Sequence, residues 1–339
     1  MAVNNPNQPE SEAREIFLGQ ALNEALDEEM ARDPTVFLLG EEVGVWGGAY
    51  NVSTGLLDKW GAERVLDTPI SEAAIVGAAV GAALTGMRPI PEIMYSDFLG
   101  IAMDQVVNQA AKNRYMFGGK AELPITLRTS FGAGTGHAGQ HSGSPEAWFT
   151  HVPGLKVVTS STPHDAKGLL KSAIRDDNVV IFFEHKAIYN QRGHVPKEEY
   201  TIPLGVAQVR REGADCSVIT YARQVLFALE AAEQLAADGI DVEVIDLRTL
   251  YPLDIETVLA SVRKTNRAVI VHDAVRFSGF GAEIASQIQE LAFDHLDAPV
   301  GRIGSVFAPI PFSQPLEDAA LPNPDTIAAA VRRTLEGVK

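Results

Sequence analysis

Short apolar runs alternate with stretches of helical spacing along almost the whole chain. Val36-Phe-Leu-Leu39 and Val179-Val-Ile-Phe-Phe183 are continuously apolar, and Pro89 to Met94, Leu123 to Ser130 and Leu155 to Ser160 are largely so. Strands apolar on both faces belong in a parallel sheet covered on both sides. Between them the spacing predicts an amphipathic helix from Ser11 to Asp33, with Ile16, Leu18, Ala21, Leu22, Ala25, Leu26 and Met30 inward. Further helices are expected near Thr54 to Trp60, after Ser71, from Asp97 to Tyr115, from Pro145 to His151 and from Asp165 to Ile174. The text turns polar and irregular from about Lys186 to Pro203, then the alternation restarts. Strands are expected at Ser217 to Tyr221, Val242 to Leu247, Ala268 to Val271 and Gly301 to Ser305, with helices over 223–238, 254–264, 281–296 and 325–336. This pattern predicts an α/β chain of two three-layer domains, each on a parallel sheet. The expected division is a disordered tail over 1–11, a first domain over 12–190, a linker over 191–204 and a second domain over 205–339.

Composition narrows the class. The chain has 339 residues, 46% hydrophobic and 21% charged, which describes a globular protein with room for two domains. A net charge of −16 argues against nucleic acid or an anionic membrane as the main partner. No apolar run approaches a membrane span, and Met1 to Glu10 lacks the features of a signal peptide. The single cysteine, Cys216, excludes a disulfide framework. A cytoplasmic protein is the expectation.

The stretch with the most chemistry is Asp67-Thr-Pro-Ile-Ser71-Glu72, followed by a run of small residues with glycines at 77 and 81. Ser71 is placed to cap a helix, and glycines four apart allow another backbone to approach closely. Glu72 then lies in the first turn of an otherwise apolar helix. It either complements the helix dipole or does chemistry.

Pro69-Ile-Ser-Glu72 with Gly77-x-x-x-Gly81 resembles the glutamate-plus-glycine-helix motif of thiamine diphosphate enzymes. In particular it is similar to the β subunit of the decarboxylating component of 2-oxoacid dehydrogenase complexes. The resemblance runs from about Ile16 to the C-terminus and implies a transketolase-like fold, a pyrimidine-binding domain followed by a transketolase C-terminal domain. It implies that Glu72 holds the pyrimidine ring nitrogen and that the glycine helix packs on its counterpart in another subunit. Gly40-Glu41-Glu42-Val resembles the element that brings its first acid, Glu41, near the cofactor. Glu92-Ile-Met94-Tyr-Ser-Asp-Phe98 resembles the strand end that sets an aromatic ring, here Phe98, against the pyrimidine, with Ile70, Ser71 and Met94 in the same pocket. Gly139-Gln-His141-Ser142 with Glu146-Ala-Trp resembles the active-site histidine segment, which makes His141 catalytic beside Glu72 and leaves His137 without a role. Ile125, Ala173, Ile174, Asp176 and Asn178 resemble a potassium loop built mainly from carbonyl oxygens.

The implied activity is decarboxylation of a 2-oxoacid, pyruvate first, with acyl transfer to a lipoyl group. Acetoin and branched-chain 2-oxoacids are the alternatives; Asn108 to Gly119 and Phe182-Phe-Glu-His-Lys186 look much like acetoin dehydrogenase β chains. Single-chain thiamine enzymes carry Gly-Asp-Gly and a later Asn pair for magnesium and the diphosphate, and no Gly-Asp-Gly occurs here. The resemblance therefore implies an α subunit that holds the magnesium end, in an α2β2 heterotetramer served by a lipoyl acyltransferase core. A remote alternative rests on Gly134-Thr-Gly136-His-Ala-Gly139. This matches G-x-G-x-x-G after a strand and would suit an NAD-dependent oxidoreductase if a helix opened directly from the glycines.

Overall fold

Two sheets carry the fold in the computed structural model, which describes residues 14–336. The tail expected over 1–11 lies outside the described residues. The first sheet has seven strands, in the order Thr249–Tyr251, Leu155–Thr159, Val179–His185, Thr126–Phe131, Arg88–Tyr95, Val36–Gly40 and Val65–Asp67. The second has five, in the order Gly301–Ser305, Ala268–Val275, Cys216–Thr220, Val242–Asp246 and Gln208–Arg211. Pairing is parallel except at one edge of each sheet, where Thr249–Tyr251 and Gln208–Arg211 run antiparallel. The wholly parallel expectation is corrected there: the edge strands have only three and four residues, too few to show a run in the sequence.

Thr249–Tyr251 comes from the second half of the chain yet completes the first sheet. One apolar core runs through the seam, joining Phe149, Val157 and Phe183 to Ile219, Ile245 and Ile270. Helices Leu18–Arg32 and Pro163–Arg175 cover the outer face of the first sheet, around Leu22, Leu26, Leu169 and Phe182. Helices Gln224–Ala237 and Pro324–Glu336 cover the outer face of the second, around Ala228, Val244 and Val331. Buried Asp165 ties the halves together through Arg210 and Arg248.

Two helices differ from the expected pattern. The first begins at Leu18, because Arg14–Phe17 is a strand paired antiparallel with Arg192–Val195 in the stretch expected as linker. Gln20 accepts the Phe17 amide at 3.0 Å and so closes the helix start. The long helix expected from Asp97 to Tyr115 is broken into a 3₁₀ turn at Ser96–Gly100, a π turn at Gln105–Ala110 and an α segment at Ala111–Met116. Gly100 weakens the helix, and Asp97 is drawn away to bind the Gly143 amide at 3.1 Å. Among the described residues, no helix is long and apolar enough to cross a membrane.

Candidate functional site

The chain leaves the strand Val36–Gly40, passes to the edge strand Val65–Asp67 on one side, and returns as Arg88–Tyr95 on the other. Such a reversal opens a crevice beyond the carboxyl ends of the strands, where parallel sheets bind ligands. Glu41, Glu72, Phe98 and His141 all follow these strand ends or the next one, Thr126–Phe131.

Glu72 opens the helix Glu72–Leu84 and is buried, only 6% exposed. Ser71 occupies the N-cap position, but its hydroxyl makes no capping bond, which corrects the expected cap. Ile70 beside it is 81% exposed. Glu41 is half-buried, and its carboxyl is pushed above the ordinary range by burial, by the Glu72 charge and by Glu42. The Glu72 charge thus disfavours ionisation of Glu41. Asp67 accepts the amides of Gly44 at 2.6 Å and Val45 at 3.1 Å, which fixes the loop after Glu42.

On the neighbouring strand end, aromatic rings meet the histidines. The Tyr95 ring lies 4.5 Å from His141, nearly perpendicular to it, and the Phe98 ring lies 5.2 Å away in the same manner. Tyr95 is also 6.0 Å from His137, whose Nδ1 pairs with the Thr135 hydroxyl at 2.8 Å. His137, expected without a role, therefore shares a ring with His141. Met94 lines a separate small cavity with Tyr50, Arg128, Ser130 and Tyr189.

Beneath the crevice, Arg128 is buried between Glu184 and Glu92, and the Tyr189 hydroxyl donates to Glu184 at 2.8 Å. Burial pushes Glu92 upward while Arg128 opposes it. Tyr50 stacks on Tyr189 at 4.8 Å and its hydroxyl lies 3.4 Å from that of Tyr95. Sequence reasoning missed this support. Its one legible signal was a pair of opposite charges, Arg128 and Glu184, inside apolar strands.

The histidines sit on a loop from Gly132 to Gly143, closed at its base by the Gly132 amide donating to the Gly143 carbonyl at 2.9 Å. Gly132, Gly134, Gly136 and Ala138 all have positive φ, where glycine is favoured. The next helix begins only at Glu146, so no helix opens from the glycines. The Gly134 and Gly136 amides donate to the carboxylate of Glu317, at 2.7 and 3.0 Å. A dinucleotide phosphate would need the place that this anion holds, which removes the NAD reading.

At the turn expected to bind potassium, the protein supplies a cation of its own. Arg88 donates to the carbonyls of Ile174 at 3.1 Å and Asp176 at 3.2 Å. The Ile125 carbonyl accepts from Val180 and that of Ala173 from the Asp176 amide, while Asn178 donates to the Asp176 carboxylate at 2.9 Å. No cluster of three or more His, Cys, Asp or Glu suited to a metal ion occurs among the described residues.

Comparison with known proteins agrees with this layout. The transketolase pyrimidine-binding domain model matches residues 14–191, and the transketolase C-terminal domain model matches 205–327. The chain is 50% identical to the β subunit of acetoin:2,6-dichlorophenolindophenol oxidoreductase of Cupriavidus necator, over 96% of this chain and 99% of that one. It is 47% identical to mitochondrial pyruvate dehydrogenase E1 component subunit beta-2 of Oryza sativa, over 95% of this chain and 86% of the relative. Its fold matches a split-gene transketolase solved as an inactive β4 tetramer, with a TM-score of 0.75 at 22% identity, over 95% of this chain and 98% of that one.

Proposed function

The chain belongs to the transketolase-like family of E1 β subunits of pyruvate and acetoin dehydrogenases, and within it we propose that Glu72, Glu41, Phe98 and His141 form the pyrimidine half of a thiamine diphosphate site. The observation that carries this reading is a buried Glu72 placed, like Glu41, just beyond the carboxyl ends of two adjacent parallel strands.

These residues fit the group. A flat heteroaromatic ring gains from an apolar, partly dry wall; Phe98 and the exposed Ile70 would offer one once a second chain covers them, while Met94 lines a separate cavity. Its ring nitrogen needs a carboxyl oxygen held out of water, and Glu72 provides it. Ser71 adjoins that residue in sequence, and Glu41 senses its charge. When bound, thiamine diphosphate supplies the nucleophilic carbon and the electron sink for cleavage next to a carbonyl. Glu72 would fix the ring's tautomer by keeping a hydrogen bond at its carboxyl oxygen. His141, steadied edge-on by Tyr95 and Phe98, would hold a proton near the substrate carbonyl and pass it during acyl transfer. The loop and the aromatic rings would keep water from the reacting atoms.

An α subunit is required for the magnesium and diphosphate end, and we read the working form as an α2β2 heterotetramer attached to a lipoyl acyltransferase core. Pyruvate is the first substrate of this reading. Acetoin is the second, favoured by the 50% identity to the Cupriavidus subunit. A potassium ion at the Ile174–Asp176 turn would share its carbonyls with Arg88.

The test is co-expression with a partner chain that carries Gly-Asp-Gly, followed by assays with pyruvate, acetoin and branched-chain 2-oxoacids. 2,6-Dichlorophenolindophenol, the acceptor named for the Cupriavidus relative, serves as oxidant. Turnover that needs thiamine diphosphate and both chains supports the reading; turnover by this chain alone with NAD ends it.

A further inference from the structure

Glu317 lies 181 residues beyond Gly136 in sequence, on the helix Gln314–Ala320 of the second half, and is fully buried. Its two carboxylate oxygens accept one amide each, from Gly134 and from Gly136. Charge-assisted bonds of this kind are stronger and more directional than neutral ones. Arg223, also from the second half, donates to the Ala133 carbonyl at 2.8 Å. Its guanidinium fills the space where a Cβ on Gly134 would stand. Lys186 donates to the Gly132 carbonyl and, though burial pulls its pKa down to about 8, its charge is favoured by Asp97, Asp273 and Glu317. Pro309, in the approach to the same helix, rests 3.3 Å from the Cβ position of Gly139.

A loop that adopts positive φ at four positions has few bonds of its own to hold that shape. Here Glu317 and Arg223 supply bonds from the opposite domain, and they grip the segment just ahead of His137 and His141. We propose that Glu317 is a positioning residue for the reaction, clamping the Gly132–Gly143 loop so that both histidines stay against Tyr95 and Phe98. The second domain thereby acts on the first domain's chemistry as well as on assembly. This inference rests on the functional reading above.

Glu317→Gln keeps the shape and one good acceptor; Glu317→Ala removes both. Arg210→Gln is the control, since Arg210 ties the same seam through Asp246 and Asp165 rather than through the loop. Each is assembled with the partner chain and measured for hydrogen exchange of the 131–141 peptide, for kcat and KM, and for thermal stability. We expect loop exchange at least tenfold faster in Glu317→Gln and faster again in Glu317→Ala. We expect kcat at least tenfold lower with KM within twofold, whereas Arg210→Gln loses stability yet keeps parental loop exchange and kcat. Unchanged loop exchange, faster exchange with kcat within twofold of the parent, or an equal kcat loss in Arg210→Gln would each overturn the clamp. Should Glu317→Ala not fold, Glu317→Gln decides. A parent complex inactive on every substrate would defeat the functional reading instead, and the exchange data would still decide whether the clamp exists.

Discussion

Arg128 grips Glu184 with two parallel bonds, Nε–H to Oε1 at 2.7 Å and Nη2–H to Oε2 at 2.8 Å, in the interior of the first sheet. Its remaining Nη1 donates to Glu92 at 2.5 Å. One buried cation therefore satisfies two buried acids directly beneath the crevice. Breaking such a network by removing one partner leaves charge stranded in the core. Arg128→Met should cost about 3–5 kcal/mol, read as a fall in the urea midpoint at pH 7. A change below about 1 kcal/mol would show that the acids find protons or water without strain.

At Glu72, size can be kept while the charge is removed. Glu72→Gln should fold and assemble, and should lose at least 100-fold in kcat with either pyruvate or acetoin, a typical effect of losing a proton-handling group. Turnover within a few-fold of the parent would end its assignment.

The two histidine-dependent half-reactions can be separated. His141→Ala should lower transfer to a lipoyl acceptor by at least tenfold more than it lowers decarboxylation read with the artificial oxidant. Equal losses would remove the transfer role and leave His141 as lining.

Glu146 offers a pH experiment. It is fully buried, receives the Tyr221 hydroxyl at 2.5 Å on Oε1, and its Oε2 has no hydrogen-bond partner among the described residues. Burial pushes its carboxyl up to about 7, against the lowering effect of Tyr221. Because this lies above the value of an unfolded glutamate, folding favours the protonated form. That contribution is complete below about pH 4.5 and is lost as the pH rises through 7. Glu146→Gln, neutral throughout, should gain on the parent by on the order of 3 kcal/mol between pH 5 and pH 8, measured by denaturant unfolding. A stability difference independent of pH would mean that Glu146 ionises freely in the fold.

The helix Glu72–Leu84 leaves Ala74, Ala78 and Gly81 exposed on one face, and a Cβ at Gly81 would meet nothing within 4 Å in this chain. Gly81→Leu should therefore raise the stability of the separate chain by up to about 1 kcal/mol through helix propensity. If this face is where another subunit's helix presses, the same change should reduce the native mass of the assembled complex. An unchanged mass would place the subunit contact elsewhere.

Much of this protein is written locally. The apolar runs at Val36 to Leu39 and Val179 to Phe183 mark buried strands without reference to anything distant, because a strand covered on both faces must be apolar at every position. Glu72 stands out in the same way, as a lone acid in a helix of alanines, glycines and branched residues. The resemblance of its flanking residues to a known motif is what suggests the chemistry proposed for it. Gly134 to Gly139 was the misleading case: the spacing of a phosphate loop is a property of backbone freedom, and that freedom serves a carboxylate here.

What tertiary structure alone decided concerns partners far apart in the chain. Nothing near Gly134 announces that Glu317 will take its amide from 183 residues away, or that Tyr95 will gather His137 with His141. Nor does the polar stretch after Lys186 reveal a strand that pairs with Arg14–Phe17. Hydrophobic period reports which face of an element is inside, and that is settled within a few residues. Which polar group meets which other depends on how whole layers pack, so those meetings become visible only once the two sheets stand together.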